Sequence, residues 1–561
     1  MMGVFRDRFL KLGKVANGLG FATGVLDRTG LLAALSPRGV AAFARRARGI
    51  RPGPHAAVML HAANKPEKIA LVQGTRRVRY DELDHRTNQL SHALIELGVG
   101  PGDRVAMMLP NSIEYLVAQQ AMARIGATAV QIGYRLKGPE IAYILENSAP
   151  QAVIVHREYL SQMDDARRSA GLPGDDAVIV TGAGEGAQLR GQRWEQVLAA
   201  QDGTNPPRVG SRGGGVIIYT SGTTGKPKGA NRDFRQVGLE AVADFMATMG
   251  MRHDDVHLVI CPLYHSAAPA FAGMMMTLGA TVVVCDHFDP EQILATIQRE
   301  RVTSAFMVPT MLVRLTALDE SVRRRYDTSS LRWICSGAAP LATDTARRFQ
   351  EQFGYILWNF YGATETGMVT LAGPDDHAAH PGTVGRPLRG NEVRLLDEHG
   401  SDVAPGDVGE IYVRNSMLIT GYHKNDEATD DAQREGFFSV GDLARIDSDG
   451  FYYLESRKHD MVISGGVNIY PREIEDHLHT HPDILEVAVI GVPDSEWGES
   501  LKAFVVARQG ARLSADDVIG HCREGLADYK CPRSVEFLDA LPHNPTGKVL
   551  KRELRARESD R

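Results

Sequence analysis

Cysteine is scarce in this chain. Five residues among 561 (Cys261, Cys285, Cys335, Cys522 and Cys531) lie far apart and show no metal-ligand spacing. That pattern excludes a disulfide framework and a structural zinc motif, and it suits a reducing compartment. Long hydrophobic runs are also missing. No uncharged apolar stretch reaches the ~20 residues that a membrane-spanning helix needs, and no clear secretory signal is present. The expectation is a cytoplasmic protein, peripheral to a membrane at most. Basic residues come without any base-reading motif, which argues against nucleic acid as a partner. Acidic residues are rare in one place only. Residues 1–52 hold ten Lys/Arg against Asp7 and Asp27, a surplus of eight, so the rest must carry −14 to reach the net charge of −6.

That leader has a pattern of its own. Phe5, Phe9, Leu12, Ala16 and Leu19 fall near helical spacing, with Arg6, Arg8, Lys11 and Lys14 largely off the stripe. Such a helix can lie in an anionic membrane interface. Gly13, Gly18 and Gly20 weaken it by about 1 kcal/mol each relative to alanine. Four readings stay open: membrane contact, a helical arm docked on the body, a loosely ordered leader, and a transit peptide, the last disfavoured by scarce serine.

With 43% hydrophobic and 24% charged residues, the remainder has ample material for a core. The globular body is expected from Pro54. Helical patterns at 80–97, 113–124 and 139–146 alternate with strand patterns at 105–109, 128–132 and 152–155. That alternation predicts a parallel sheet covered on both faces. Residues 160–212 read as loop-rich. The apolar run Val216-Ile217-Ile218 then enters Tyr219-Thr220-Ser221-Gly222-Thr223-Thr224-Gly225-Lys226-Pro227-Lys228-Gly229. Glycines let backbone N–H groups converge on one point, while hydroxyls and lysines add donors and charge, so this loop suits a polyphosphate. It is not a Walker loop, since Thr220 stands where glycine is required and Pro227 replaces Ser/Thr. A long helix is expected after it. The stretch Ala267 to Leu278, with Met274-Met275-Met276, is apolar and small, suited either to a tunnel for a flexible alkyl chain or to a plain buried helix. Further on, Ser336-Gly337-Ala338-Ala339 reads as a tight turn at a strand end. Trp358-Asn359-Phe360-Tyr361-Gly362-Ala363-Thr364-Glu365 offers aromatic faces for a base and a carboxylate for a hard metal ion.

Five motifs in fixed order carry a resemblance. They are the phosphate loop, Tyr361-Gly362-Ala363-Thr364-Glu365, Ser439-Val440-Gly441-Asp442, Arg457-Lys458-His459-Asp460 with Gly465-Gly466-Val467-Asn468-Ile469-Tyr470-Pro471, and Pro545-Thr546-Gly547-Lys548. From about residue 55 to 555 the chain resembles the adenylate-forming superfamily of acyl-CoA synthetases, luciferases and peptide-synthetase adenylation domains. The resemblance implies an α/β fold: a large N-terminal domain of parallel-rich sheets flanked by helices (53–456), a hinge (457–460) and a small mobile α+β C-terminal domain (461–561). It also implies ATP, Mg²⁺ and coenzyme A. Thr220, Ser221, Gly222, Thr223, Thr224, Gly225, Lys226 and Lys228 would hold the ATP phosphates, with Thr364 beside them and Glu365 on Mg²⁺. Tyr361 would lie against adenine, with Ser336, Gly337, Ala338, Ala339, Asn359 and Gly362 near it. Asp442 and Arg457 would take the ribose, and Gly465 and Gly466 would line the passage for the CoA arm. Lys548, Glu365, Thr220 and His265 are the candidate catalytic residues.

The chain departs from the family pattern at the hinge, where His459 replaces the usual Asp or Lys. A titrating imidazole there would make domain rotation sensitive to pH. Around Tyr264-His265-Ser266 there is no acid to hold a substrate ammonium, which argues against an amino acid. No carrier or thioesterase domain follows Lys548, as expected of a free-standing ligase. With the apolar stretch and the leader, these features favour a medium- to long-chain fatty acid and an AMP-forming fatty-acid–CoA ligase. The alternatives are an aromatic or polyketide-derived acid, a fatty acyl-AMP ligase that loads a carrier protein, and a non-enzymatic sensor. A homodimer is left open.

Overall fold

The fold was read from a computed structural model, which describes residues 24–25, 27–47, 54–172, 174–184, 189–207, 214–220, 227–234, 237–465, 467–544 and 547–559. The leader pattern from Phe5 to Leu19 lies outside these residues. Next along the chain is a docked arm, made of the short helix Leu31–Ala34 and the helix Pro37–Arg46. Ser36 starts the second helix by accepting a hydrogen bond from the Gly39 N–H at 3.0 Å, which satisfies one orphan donor of the first turn. Buried side chains, hydrogen bonds and an ion pair fasten the arm to the body. Val25 and Leu31 are buried, His253 N–H donates to the Thr29 carbonyl at 3.1 Å, and Arg46 pairs with the buried Asp84.

The two largest sheets build most of the large domain. The nine-stranded sheet runs, in space, Arg386–Pro387, Gly367–Ala372, Leu357–Ala363, Trp333–Ser336, Ser304–Met307, Val256–Val259, Thr281–Val284, Ile69–Gln73 and Arg76–Arg79. Its centre is parallel and its edges antiparallel. The eight-stranded sheet runs Gly421–Tyr422, Lys228–Asp233, Gly215–Thr220, Thr128–Gln131, Arg104–Met108, Ala152–His156, Val178–Thr181 and Gln192–Arg193. Strand alternation divides its side chains between two cores. Val130, Val153 and Ile217 face one apolar cluster, whereas Ala129, Ile154, Val216 and Ile218 face the cluster that also contains Phe271 and Met274. A six-stranded antiparallel sheet within 392–457 comes next, and a five-stranded sheet with its own core forms the C-terminal domain.

Two expectations are corrected. Residues 160–212 contain the helices Leu160–Ser169 and Trp194–Ala199 and the strand Val178–Thr181. The strand Val-Ile-Val-Thr is buried on both faces, so it shows no alternation, and the first helix is mostly polar, with a narrow apolar stripe. After the phosphate loop the chain forms the strand Lys228–Asp233 before a helix of only ten residues, Leu239–Thr248. Lys-Gly-Ala-Asn-Arg-Asp has no β-propensity to advertise. It is a strand because the hairpin pairs it antiparallel with Gly215–Thr220, Tyr219 opposite Gly229 and Thr220 opposite Lys228.

Candidate active site

A cavity of about 2040 Å³ runs between the two sheets and out to the C-terminal domain. This exceeds the ~300–1,000 Å³ of an ordinary small-molecule pocket, so it has room for more than one substrate. The hairpin supplies one wall. Residues two apart on a strand share a face, so Val216, Ile218 and Thr220 on one strand and Lys228, Ala230 and Arg232 on the other all line it. Ser221 to Lys226, the tip of the predicted phosphate loop, lie outside the described residues.

At the hairpin end the polar groups converge on Glu365, which is 7% exposed. Its Oε1 accepts from the Thr220 hydroxyl at 3.2 Å and from the Tyr422 hydroxyl at 3.2 Å. Lys228 Nζ stands 5.2 Å from the centroid of the Tyr422 ring, and Arg232 donates to the Thr364 carbonyl. Burial lowers the Arg232 guanidinium to about 10 despite the nearby Glu365. Glu365 is thus a carboxylate with cationic and hydroxyl neighbours, and among the described residues its second oxygen accepts no hydrogen bond. Mg²⁺ typically takes one or two carboxylates plus phosphate oxygens and water, so the donor set fits that ion shared with a nucleotide. Among the described residues no group of three or more His, Cys, Asp or Glu side chains could cage a metal unaided.

A second cluster lies beside it. Tyr361 donates to Asp442 Oδ2 at 2.9 Å, and Arg457 Nε sits 3.1 Å from Asp442 Oδ1. Burial, then the Asp442 charge, pushes the Tyr361 phenol well above its ordinary value, so it remains a donor. Asn359, Gly362, Ala338 and Ala339 also line the cavity. Ala338 holds a positive φ of 68°, a strained conformation for a residue with a Cβ. Ser336 and Gly337 are not on the cavity wall. Ser336 is fully buried, and a Cβ on Gly337 would stand 2.6 Å from the Phe360 ring, so the glycine lets that ring pack.

Lys548 reaches the same cavity from the C-terminal domain. Its backbone N–H donates to Asn544 Oδ1 at 2.8 Å. Burial, reinforced by the Arg457 charge, lowers its ammonium to about 8, against the pull of Asp442 and Asp460. His459 also lines the cavity, and burial holds it below its ordinary value. It is therefore largely neutral above pH 7, and its titration falls on the acid side. Gly465 is not on the wall. It adopts φ 57°, and a Cβ there would stand 2.7 Å from Trp497. Gly466 lies outside the described residues.

His265 marks the entrance to a long apolar branch. Burial, with Arg135 adding to it, lowers its imidazole to about 4, and Nε2 has no partner among the described residues. Ser266 Oγ lies 3.1 Å from Thr364 Oγ1, which fixes this end beside Glu365. The helix Ala267–Leu278 runs away from it, presenting Ala267, Ala270, Phe271, Met274, Thr277 and Leu278 to the cavity. These positions recur every three or four residues, one face of a helix about 18 Å long. Val25, Thr29 and Leu31 of the arm line the far end. Sequence reasoning missed Arg232 and Tyr422. Arg232 shares its strand face with Lys228, a signal hidden once that segment was read as helix; Tyr422 sits in a two-residue strand with no motif.

Comparison with known proteins fits this geometry. Residues 58–423 match the family model described as AMP-binding enzyme, and 473–548 match the AMP-binding enzyme C-terminal domain. A feruloyl-CoA synthase of an Amycolatopsis species is 36% identical over 498 residues, 88% of this chain and 97% of the relative. A long-chain-fatty-acid–CoA ligase of Mycobacterium tuberculosis is 32% identical over 500 residues, covering 89% and 97%. Among solved structures, an anthranilate CoA ligase in complex with anthranoyl-AMP superposes with a TM-score of 0.83 at 26% identity, covering 91% of this chain and 98% of that one.

Proposed function

The chain belongs to the AMP-binding, adenylate-forming enzymes, and from that premise we propose that it is an ATP-dependent acyl-CoA ligase. One observation carries this reading: Lys548, from the C-terminal domain, shares a cavity with Glu365, Asp442 and Arg457 of the large domain. A carboxylate resists attack by a thiol because its oxygen is a poor leaving group. In the first step a carboxylate oxygen bonds to the α-phosphorus of ATP and pyrophosphate departs. In the second, the CoA sulfur bonds to the acyl carbon and AMP departs with the electron pair of the broken C–O bond.

The residues divide the work. Thr220 and Lys228, with the loop between them, would cradle the departing pyrophosphate. Lys548 would hold the acid and offset charge on the α-phosphate oxygens. Asp442, oriented by Tyr361 and Arg457, would take the ribose hydroxyls, and Asn359 and Ala338–Ala339 would border the adenine. Mg²⁺ held at Glu365 would supply neutralising charge to the phosphates. His265 would border the reacting carboxylate as a neutral ring.

The apolar branch suits the body of a medium- to long-chain fatty acid, supported by the Mycobacterium relative, and equally an aromatic acid, supported by the feruloyl and anthranilate ligases. Incubation with ATP, Mg²⁺, CoA and a panel of both acid classes is the test. Thioester with equimolar AMP and pyrophosphate is expected; adenylate without thioester would point to carrier loading, and no turnover of any acid would defeat the reading. Membrane contact by residues 1–52 is supported by exposed Leu32 and Val40 close to Arg38 and Arg45. Equal pelleting with anionic vesicles with and without residues 1–50 would end that idea.

A further inference from the structure

Two buried glutamines interrupt the apolar branch. Gln131, 3% exposed, ends the strand Thr128–Gln131, and Gln120, 5% exposed, lies on the helix Ile113–Ile125. Both line the cavity, and among the described residues Oε1 of each has no hydrogen-bond partner. An amide left unpaired in an apolar setting is destabilising, since it has given up water and gained no partner. Around Gln131 on the wall, Ala129, Val216, Ile218 and Ala230 are apolar, so leucine there would serve a plain alkyl chain better. The hydroxyl of Tyr264 is likewise buried and without a partner. Its ring lies against Gly133, two residues past Gln131, where an added Cβ would stand 3.0 Å from Cε2.

Strand register locates Gln131. Gln131 pairs with Ile218, and Ile218 with Ala230. That row is two residues from the row of Thr220 and Lys228, a step of about 7 Å along the strand. It lies on the side away from Glu365, on the strand face whose Ala129, Val216 and Ile218 share an apolar cluster with Phe271 and Met274.

We propose that Gln131 and Gln120 are specificity-determining residues that hydrogen-bond a hydroxyl borne by the acyl group away from its carboxylate. An amide both donates and accepts, as does a hydroxyl, so the match holds whichever way each amide is turned. The discrimination arises from what is left behind. A site that hydrogen-bonds a substrate hydroxyl rejects the analogue lacking it, because its buried polar groups then stay unpaired. The competing occupant is an ordered water bridging the amides, which would confer no preference for a hydroxylated acid. The inference rests on the ligase reading above and names the substrate class of that same site.

The test uses the full chain with ATP, Mg²⁺ and CoA and two matched pairs: cinnamate with 4-hydroxycinnamate, and decanoate with 10-hydroxydecanoate. In at least one pair kcat/KM should favour the hydroxy acid by about 10- to 100-fold. Gln131→Met and Gln120→Met should each erase most of that preference through the hydroxy member, with the KM for ATP unmoved. Gln131→Asn, which keeps a shortened amide, guards against a Met variant that fails to fold and should retain part of the preference. Turnover without preference in either pair, or equal losses on both members in the variants, would overturn the inference. No thioester from all four acids, with no ATP–pyrophosphate exchange, would instead bring down the ligase reading and this inference with it.

Discussion

Lys548 holds a positive charge in a setting that disfavours it, and this governs its response to pH. In the ligand-free protein its ammonium sits at about 8 rather than 10.5. Below pH 8 it is charged both folded and unfolded, and the burial penalty is fully present. Between about 8 and 10.5 the unfolded chain binds the extra proton, so this group's contribution to stability rises with pH. The melting-temperature deficit of wild type relative to Lys548→Met should therefore shrink from pH 7 to pH 9. Catalysis runs the other way. Adenylation should fall as pH climbs through 8 and above, while Lys548→Arg, if active, should lack that alkaline limb; pyrophosphate release across pH 7 to 9.5 is the measurement. Lys548→Ala should lose roughly 100- to 1,000-fold in adenylation, the scale for removing one stabiliser of developing charge. Glu365→Gln should raise the Mg²⁺ concentration needed for half-maximal adenylation by about tenfold or more, since one of a few oxygen ligands loses its charge. An unchanged Mg²⁺ titration would remove Glu365 from that role.

Lys548, Glu365 and Asp442 were legible in the sequence because each stands in a short motif with glycine or hydroxyl company. Arg232, Tyr422, Gln120 and Gln131 were not. A polar residue inside a strand or helix is silent until the partner element shows which face it occupies, and the strand Lys228–Asp233 exists only through its pairing.

At the scale of the element, the helix Ala267–Leu278 lines the branch proposed for the acyl group. Gly273 faces the cavity, and a Cβ there would meet nothing within 4 Å. Gly273→Ala should stabilise the fold by about 0.5–1 kcal/mol, because it removes backbone freedom from the unfolded chain, with little change in turnover of small acids. Gly273→Leu should raise KM for long or bulky acids at least tenfold and leave the KM for ATP alone; a uniform loss would mean that the helix had shifted instead. The fold class was legible at this scale from alternating patterns, whereas 160–212 was not, because short strands buried on both faces carry no periodicity.

The whole molecule joins two domains over one reaction. Arg472, 7% exposed, donates to the Leu341 carbonyl of the large domain at 3.2 Å. With Lys548 in the cavity and Gly465 away from it, this arrangement suits the first step of the proposed reaction, and under that proposal the second would call for a turn of the C-terminal domain. Arg472→Ala should slow single-turnover adenylation about tenfold, the worth of one charged hydrogen bond, without slowing thioester formation from supplied acyl-AMP. Since His459 lies below its ordinary value, exchanging it for lysine should leave the pH profile of the second step unchanged between pH 7 and 8. Any dependence should emerge on the acid side of that range.

The docked arm has a consequence for how the chain is made. Thr29 accepts from His253, and His61, just beyond the arm, meets the Thr277 carbonyl 216 residues later. At ribosomal speeds of about 5–20 residues per second, that partner arrives on the order of 10–40 s after His61 does. The segment synthesised early must wait, with the apolar faces of Leu31 and Val25 uncovered, for the late one. Nascent chains stalled before residue 250 should accordingly be cut by protease within 24–47, and chains released past residue 280 should resist.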